Sequence, residues 1–212
     1  MRPELKLGLY LVTDERLSRG RATAEIVRAA IRGGIDAVQL RGKDLPAREQ
    51  LAIGRELRAI TRDAGVLFIV NDRVDLALAL AADGVHVGQD DLPAEVVRRL
   101  VGPEMIIGVS AATISAALAA RAAGADYLGV GAIYGTATKL DAGAATGSAL
   151  LGTIAGAVDL PLVAIGGINA TNVAAVIAAG AAGAAVVSAI IAADDPEAAA
   201  RELQRRIAAA LR

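Results

Sequence analysis

The chain has no cysteine and no tryptophan, and it carries one histidine and one phenylalanine. Without cysteine there are no disulfides, no thiol nucleophile and no thiolate metal site. A single histidine, His86, leaves a histidine-based metal centre without its second ligand. Aromatic residues are only 2%, too few for a base-stacking platform. Charge of either sign is not in excess: 22 basic against 23 acidic residues give −1, so no global field favours nucleic acid or an anionic membrane. Long apolar runs are missing too. The N-terminal run from Leu7 stops at Asp14 and Glu15, and the Ala/Val/Ile stretches near the C-terminus are broken by glycine. Neither reaches the roughly 18 apolar residues of a membrane span, and the first is too short for a signal-peptide core. The expectation is a cytoplasmic protein with small-molecule partners and neither nucleic acid nor membrane.

What is present is a large apolar fraction, 55% over 212 residues, much of it alanine. That suits closely packed helices around one core. Short β-branched runs predict strands at 7–13, 36–41, 67–72, 84–88, 105–110, 126–133, 161–167 and 184–190. Helical periodicity predicts helices at 22–32, 46–63, 73–81, 93–101, 113–123, 147–157, 170–179 and 196–211. Strict alternation of this kind reads as an α/β protein, a single (β/α)8 TIM barrel over residues 1–212. The junctions RAAIRGGIDAVQL, LALAADGVHVG, AARAAGADYLGVG and AVIAAGAAGAAVV form a quasi-repeat of alanine-rich helix end, glycine and strand. A doubly wound open sheet fits less well, because no GxGxxG opens a helix after the first strand. In a barrel the site lies at the C-terminal ends of the strands, so the residues just after each run are the candidates.

Asp72 and Asp91 each follow an apolar run, LFIVND and VHVGQDD. On parallel strands of one sheet both carboxylates project from the same rim, where with the basic QLRGK segment they can hold Mg²⁺ against a diphosphate. The plainer reading makes Asn71 or Asp72, and Asp91, helix N-caps, and it is compatible with the first, since one of Asn71 and Asp72 can cap while the other binds metal. Arg41 and Lys43 offer a planar fork and a point charge to phosphate. His86 lies inside an apolar strand and reads as a satisfied barrel-interior residue rather than a catalyst. Ser110 has no evident triad partner, so a hydrogen-bonding role is the better reading. The loop from Ala132 to Gly147 is long for a compact barrel and reads as a lid or binding loop, with Thr136, Thr138 and Lys139 suited to phosphate oxygens. Gly166 and Gly167, with the backbone at Val187 and Ser188, form the phosphate site common in this fold, unless the glycines merely turn the chain.

Taken together, QLRGK, NDRVDLALALAADGVHVGQDD, IIGVS, ADYLGVGAIYGTATK, LVAIGGI and VVSAI resemble the thiamine-phosphate synthase family from about Leu9 to Ile190. The resemblance implies coupling of 4-amino-2-methyl-5-pyrimidinylmethyl diphosphate to methyl-hydroxyethylthiazole phosphate, with Mg²⁺ required and a carbocation captured by the thiazole nitrogen. It implies Asp72 and Asp91 as Mg²⁺ ligands, and Arg41, Lys43, Asn71 and Lys139 around the diphosphate. Gln39 and Ser110 would contact the pyrimidine substrate. Thr136, Thr138, Gly167, Val187 and Ser188 would take the thiazole phosphate. Of these, Arg41, Lys43, Lys139 and Ser110 are the expected catalytic groups. The family loop usually reads close to GPIYPTxTK. Here Ala132 and Gly135 stand for its prolines and Ala137 for an often acidic residue, which predicts a slacker loop. Ala112 stands where relatives often have histidine. The rivals are a thiazole tautomerase-like isomerase, which tends to lack the paired aspartates, and a non-catalytic phosphate-binding barrel. A homo-oligomer is compatible with the alanine-rich helix faces.

Overall fold

A computed structural model describes residues 3–136 and 145–212. Eight parallel strands close on themselves in sequence order, β1 (Leu9–Val12), β2 (Ala37–Leu40), β3 (Leu67–Asn71), β4 (Gly84–Val87), β5 (Ile106–Ser110), β6 (Tyr127–Val130), β7 (Leu162–Ile165) and β8 (Gly183–Val186), with β8 paired back to β1. The helices are α1 (Thr23–Arg32), α2 (Ala47–Ala64), α3 (Val74–Ala79), α4 (Ala94–Val101), α5 (Ile114–Ala122), α6 (Gly147–Ala155), α7 (Val173–Ala178), α8 (Ser188–Ile191) and α9 (Pro196–Ala210). The barrel expected from the sequence is the one observed. No helix among the described residues is long and apolar enough to cross a membrane.

The period-2 alternation of each strand sorts side chains into two cores. Leu9, Leu11, Val38, Phe68, Val70, Ile107, Val109, Leu128 and Val130 face outward and are sealed under the helices. Tyr10, Val12, Ala37, Leu67, Ile69, Ile106, Tyr127, Val163 and Ala185 fill the barrel. Each large side chain buried in this way contributes about 1.5–3 kcal/mol, so the outer core holds the helices without any help from disulfides.

The quasi-repeat has a physical basis at the N-terminal end of the barrel. Asp36, Asp83 and Asp126 stand just ahead of β2, β4 and β6, and each carboxylate accepts a backbone N–H of the preceding strand, from Leu9 (2.8 Å), Phe68 (2.8 Å) and Ile107 (2.7 Å). Arg58 and Arg98 cover Asp83 and Asp126 at 2.9 and 2.8 Å. The turns before them use positive φ, at Gly34 (95°) and Gly124 (85°); ahead of β4 the residue is Ala81, at 47°. Helix starts are capped where the sequence provides for it: Thr113 accepts from Ala116 N, and Asp195 accepts from Ala198 N with Pro196 opening α9.

Two expectations are corrected. The run 184–190 is not one strand: β8 stops at Val186, Val187 turns away at φ −117° and ψ −85°, and α8 begins at Ser188. A β-branched run masked this single helical turn. Neither Asn71, Asp72 nor Asp91 caps a helix: the residues preceding α3 and α4 are Arg73 and Pro93, and no side chain caps either helix. A short 3-10 turn, Glu15–Leu17, was also not foreseen; Asp14 caps it.

Candidate active site

All strand C-termini open on one mouth, and the acidic pair lies there. The Asp72 N–H donates to the His86 carbonyl at 2.8 Å, so its backbone continues the β3–β4 ladder instead of turning into α3. Its φ of 60° is left-handed. Asp91 is fixed from the other side, its Oδ2 accepting from Gly88 N at 2.7 Å across the β4 loop. The two carboxyls are close enough to hydrogen-bond. Burial, that hydrogen bond and the Asp91 charge push the Asp72 carboxyl up to about 6, against the opposing pull of Lys43 and Arg41. Acid pair and basic pair thus share one electrostatic neighbourhood.

Arg41 is held by a residue that the sequence reading passed over. The buried Asp14 receives Arg16 at 2.9 Å and Arg41 at 3.3 Å on Oδ2. Burial alone would raise its carboxyl, but hydrogen bonds and charge from Arg16, with the charge of Arg41, hold it below the usual value. Thr13 adds a brace, accepting from Arg41 N at 3.0 Å. The signal was available: Asp14 follows the first strand as Asp72 follows the third.

Gln39 is not beyond β2 but within it, buried in the barrel, with Nε2 donating to the Tyr10 hydroxyl at 2.8 Å. Ser110 ends β5, its Oγ 3.0 Å from His86 Nε2 and its carbonyl accepting from Gln89 at 2.6 Å. His86 is the barrel-interior residue expected, with Nδ1 3.0 Å from the Tyr127 hydroxyl. The two tyrosines were missed; both are hydroxyls at inward positions of otherwise apolar strands. Asn71 closes β3 opposite His86.

On the far side of the mouth, Gly166 and Gly167 take φ of 101° and 63°. A Cβ on Gly167 would stand 2.6 Å from the Gly135 carbonyl oxygen, and Tyr134 N donates to Gly166 O at 3.0 Å. The glycines therefore turn the chain and let the β6 loop lie against the β7 loop, beside Val187 and Ser188 on the neighbouring strand end. Thr136 is part of that loop, whereas Thr138, Lys139 and the slack predicted around Ala137 lie outside the described residues.

Two carboxylates that repel each other fit a hard divalent cation. No cluster of three or more His, Asp or Glu able to hold a metal occurs among the described residues. Asp72 and Asp91 could supply two carboxylate ligands to such a cation, and Mg²⁺ is one that commonly keeps several waters in its remaining positions.

A family model described as thiamine monophosphate synthase matches residues 9–190. The thiamine-phosphate synthase of Roseiflexus sp. (strain RS-1) is 58% identical over 203 residues, covering 96% of this chain and 86% of its own. That of Moorella thermoacetica is 55% identical over 196 residues, covering 92% and 93%. The solved thiamine phosphate pyrophosphorylase from Pyrococcus furiosus superposes with a TM-score of 0.89 at 42% identity, over 98% of each chain. With the motifs, the barrel and these likenesses in agreement, the chain belongs to the thiamine monophosphate synthase family.

Proposed function

We propose that this protein joins 4-amino-2-methyl-5-pyrimidinylmethyl diphosphate to methyl-hydroxyethylthiazole phosphate, releasing pyrophosphate and thiamine phosphate, at the mouth of the barrel. The observation that carries the reading is the mutually repelling Asp72–Asp91 pair beside Arg41 and Lys43. In the reaction the methylene C–O bond breaks with its electron pair leaving on pyrophosphate, and the thiazole nitrogen supplies the pair for the new C–N bond. No proton moves, so no general base is needed. What is needed is stabilisation of charge on the departing diphosphate.

Each residue then has a task. Asp72 and Asp91 hold Mg²⁺, which when bound neutralises diphosphate charge. Arg41, oriented by Asp14 and Thr13, binds diphosphate oxygens with Lys43, Asn71 and Lys139. Gln39 and Ser110 orient the pyrimidine. Thr136 and Thr138, with Gly167, Val187 and Ser188, receive the thiazole phosphate; the loops after β7 and β8 followed by a short extra helix are the usual phosphate site of the fold. Closure of the β6 loop would exclude water that otherwise captures the cation. We place this activity in the cytoplasm, in one barrel domain.

The test is turnover of both substrates with Mg²⁺, thiamine phosphate being read as fluorescent thiochrome, with EDTA as control. Metal-dependent product is expected. Binding of both substrates without product would support a phosphate-binding barrel instead.

A further inference from the structure

A file of hydrogen bonds crosses the otherwise apolar barrel interior. Gln39 Nε2 donates to the Tyr10 hydroxyl at 2.8 Å, and that hydroxyl lies 3.0 Å from the hydroxyl of Tyr127. The Tyr127 hydroxyl lies 3.0 Å from His86 Nδ1, and His86 Nε2 lies 3.0 Å from Ser110 Oγ. The file thereby connects β2, β1, β6, β4 and β5. Missing side chains make room for it. A Cβ on Gly108 would overlap the Tyr127 ring and stand 2.5 Å from His86 Nδ1, and one on Gly129 would stand 2.9 Å from His86 Cε1. Burial raises both tyrosine hydroxyls well above their ordinary values, so each keeps its proton.

Each hydroxyl has one proton to give, so the file can run in only two directions. Tyr10 accepts from Gln39 and therefore donates to Tyr127. Tyr127 then donates to His86 Nδ1. His86 accordingly carries its proton on Nε2 and gives it to Ser110 Oγ. At the two ends, Ser110 keeps its own proton for the mouth, and Gln39 keeps Oε1. Among the described residues no group donates to that oxygen, and the Gln39 side chain, 6% exposed, is buried at the C-terminal end of β2.

We propose that Tyr10, Tyr127 and His86 are positioning residues forming a polarity lock, which presents Gln39 as acceptor and Ser110 as donor. An acceptor and a donor presented in this way match in polarity the exocyclic amine donor and the ring-nitrogen acceptor of a 4-aminopyrimidine. A 4-oxopyrimidine, with the reverse pattern, sets its carbonyl oxygen against the Gln39 acceptor and leaves the Ser110 proton without its ring-nitrogen acceptor. This rests on the reading above that the pyrimidine diphosphate binds here.

The test has two arms. Because His86 is the chain's single histidine, ¹⁵N-histidine labelling gives one imidazole whose long-range ¹H–¹⁵N spectrum reads its tautomer directly. A neutral ring protonated on Nε2 is expected at pH 8. Protonation on Nδ1, or on both nitrogens, overturns the lock. In the second arm, kcat/KM is compared for the 4-amino and 4-oxo pyrimidinylmethyl diphosphates, so intrinsic reactivity cancels between wild type and variant. Tyr127→Phe keeps the ring but cuts the file. It should shift the tautomer and lower the amino/oxo discrimination by ~10-fold or more, with KM for the thiazole phosphate within about twofold, since a site's selectivity lies in its polar pairing. Unchanged discrimination with a lowered Tm would mean a purely structural role and sink the proposal. Should Tyr127→Phe not fold, Tyr10→Phe cuts the same file one bond earlier and is read the same way. Absence of any wild-type turnover would refute the pyrimidine reading, while the tautomer spectrum would still decide the relay.

Discussion

Asp72 is unfavourable to the fold in the two respects that the proposed reaction would use. It takes a left-handed φ of 60°, and burial beside Asp91 raises its carboxyl from 3.8 to about 6. A folded-state value above the unfolded one means that its contribution to stability is fully present below pH ~4 and is lost as pH rises through ~6. Thermal unfolding without Mg²⁺ should therefore show Tm falling across that window, and Mg²⁺ should restore it at pH 7–8. Asp72→Asn should flatten the profile and raise metal-free stability by roughly 1 kcal/mol, a discount on the ~1.4 kcal/mol per pKa unit because the group is half-buried. The same variant, and Asp91→Asn, should lose about 10²–10³-fold in kcat with the fold intact, the usual loss when an electrostatic partner of the transition state is removed. Near-wild-type turnover in either variant would remove the metal assignment. Thermal melts and thiochrome kinetics on the same preparations decide both points.

At the scale of elements, the barrel is held at its closed end by aspartates that bridge strands in pairs. Asp83 accepts from Phe68 N and from Arg58 at 2.9 Å. Asp83→Ala should cost about 1–3 kcal/mol, the penalty of an unsatisfied partly buried donor, seen as a lowered urea midpoint with unchanged m-value. The quasi-repeat contains one imperfection, Ala81 at φ 47° where its counterparts are glycine. Ala81→Gly should stabilise by about 0.5–1 kcal/mol, since relief of left-handed strain exceeds the added chain entropy. A loss of stability in the same urea titration would show that the Ala81 methyl packs usefully.

For the whole molecule, closure between β8 and β1 is the step on which everything else depends. A Cβ on Gly183 would overlap the Leu7 carbonyl, a backbone group that cannot swing aside. Gly183→Ala should therefore open the β1–β8 seam, costing more than about 3 kcal/mol by the logic of overpacking, and the substrate mouth should be lost with the fold. Hydrogen exchange at the Ala184 N–H, which donates to the Gly8 carbonyl across that seam at 2.8 Å, should accelerate before exchange in β4 or β5. Protection equal across all strands would show that the seam adapts.

The sequence alone determined the alternation of strand and helix, the barrel, the rim location of Asp72, Asp91, Arg41 and Lys43, and the family, because period-2 and 3.6-residue patterns and strand-end motifs are local signals. Hydrophobicity could not separate the end of β8 from α8, since Val and Ile suit both. Nor could composition tell an aspartate that caps a helix from one that stands free of it at the barrel rim; the left-handed turn at Asp72 and the Gly88–Asp91 loop made that choice. Asp14 beneath Arg41, and the file from Gln39 to Ser110, join residues as much as 117 positions apart in the chain. Only closure of the sheet brings Tyr127 on β6 within hydrogen-bond reach of Tyr10 on β1 and His86 on β4, because inward side chains from non-neighbouring strands meet at the barrel axis.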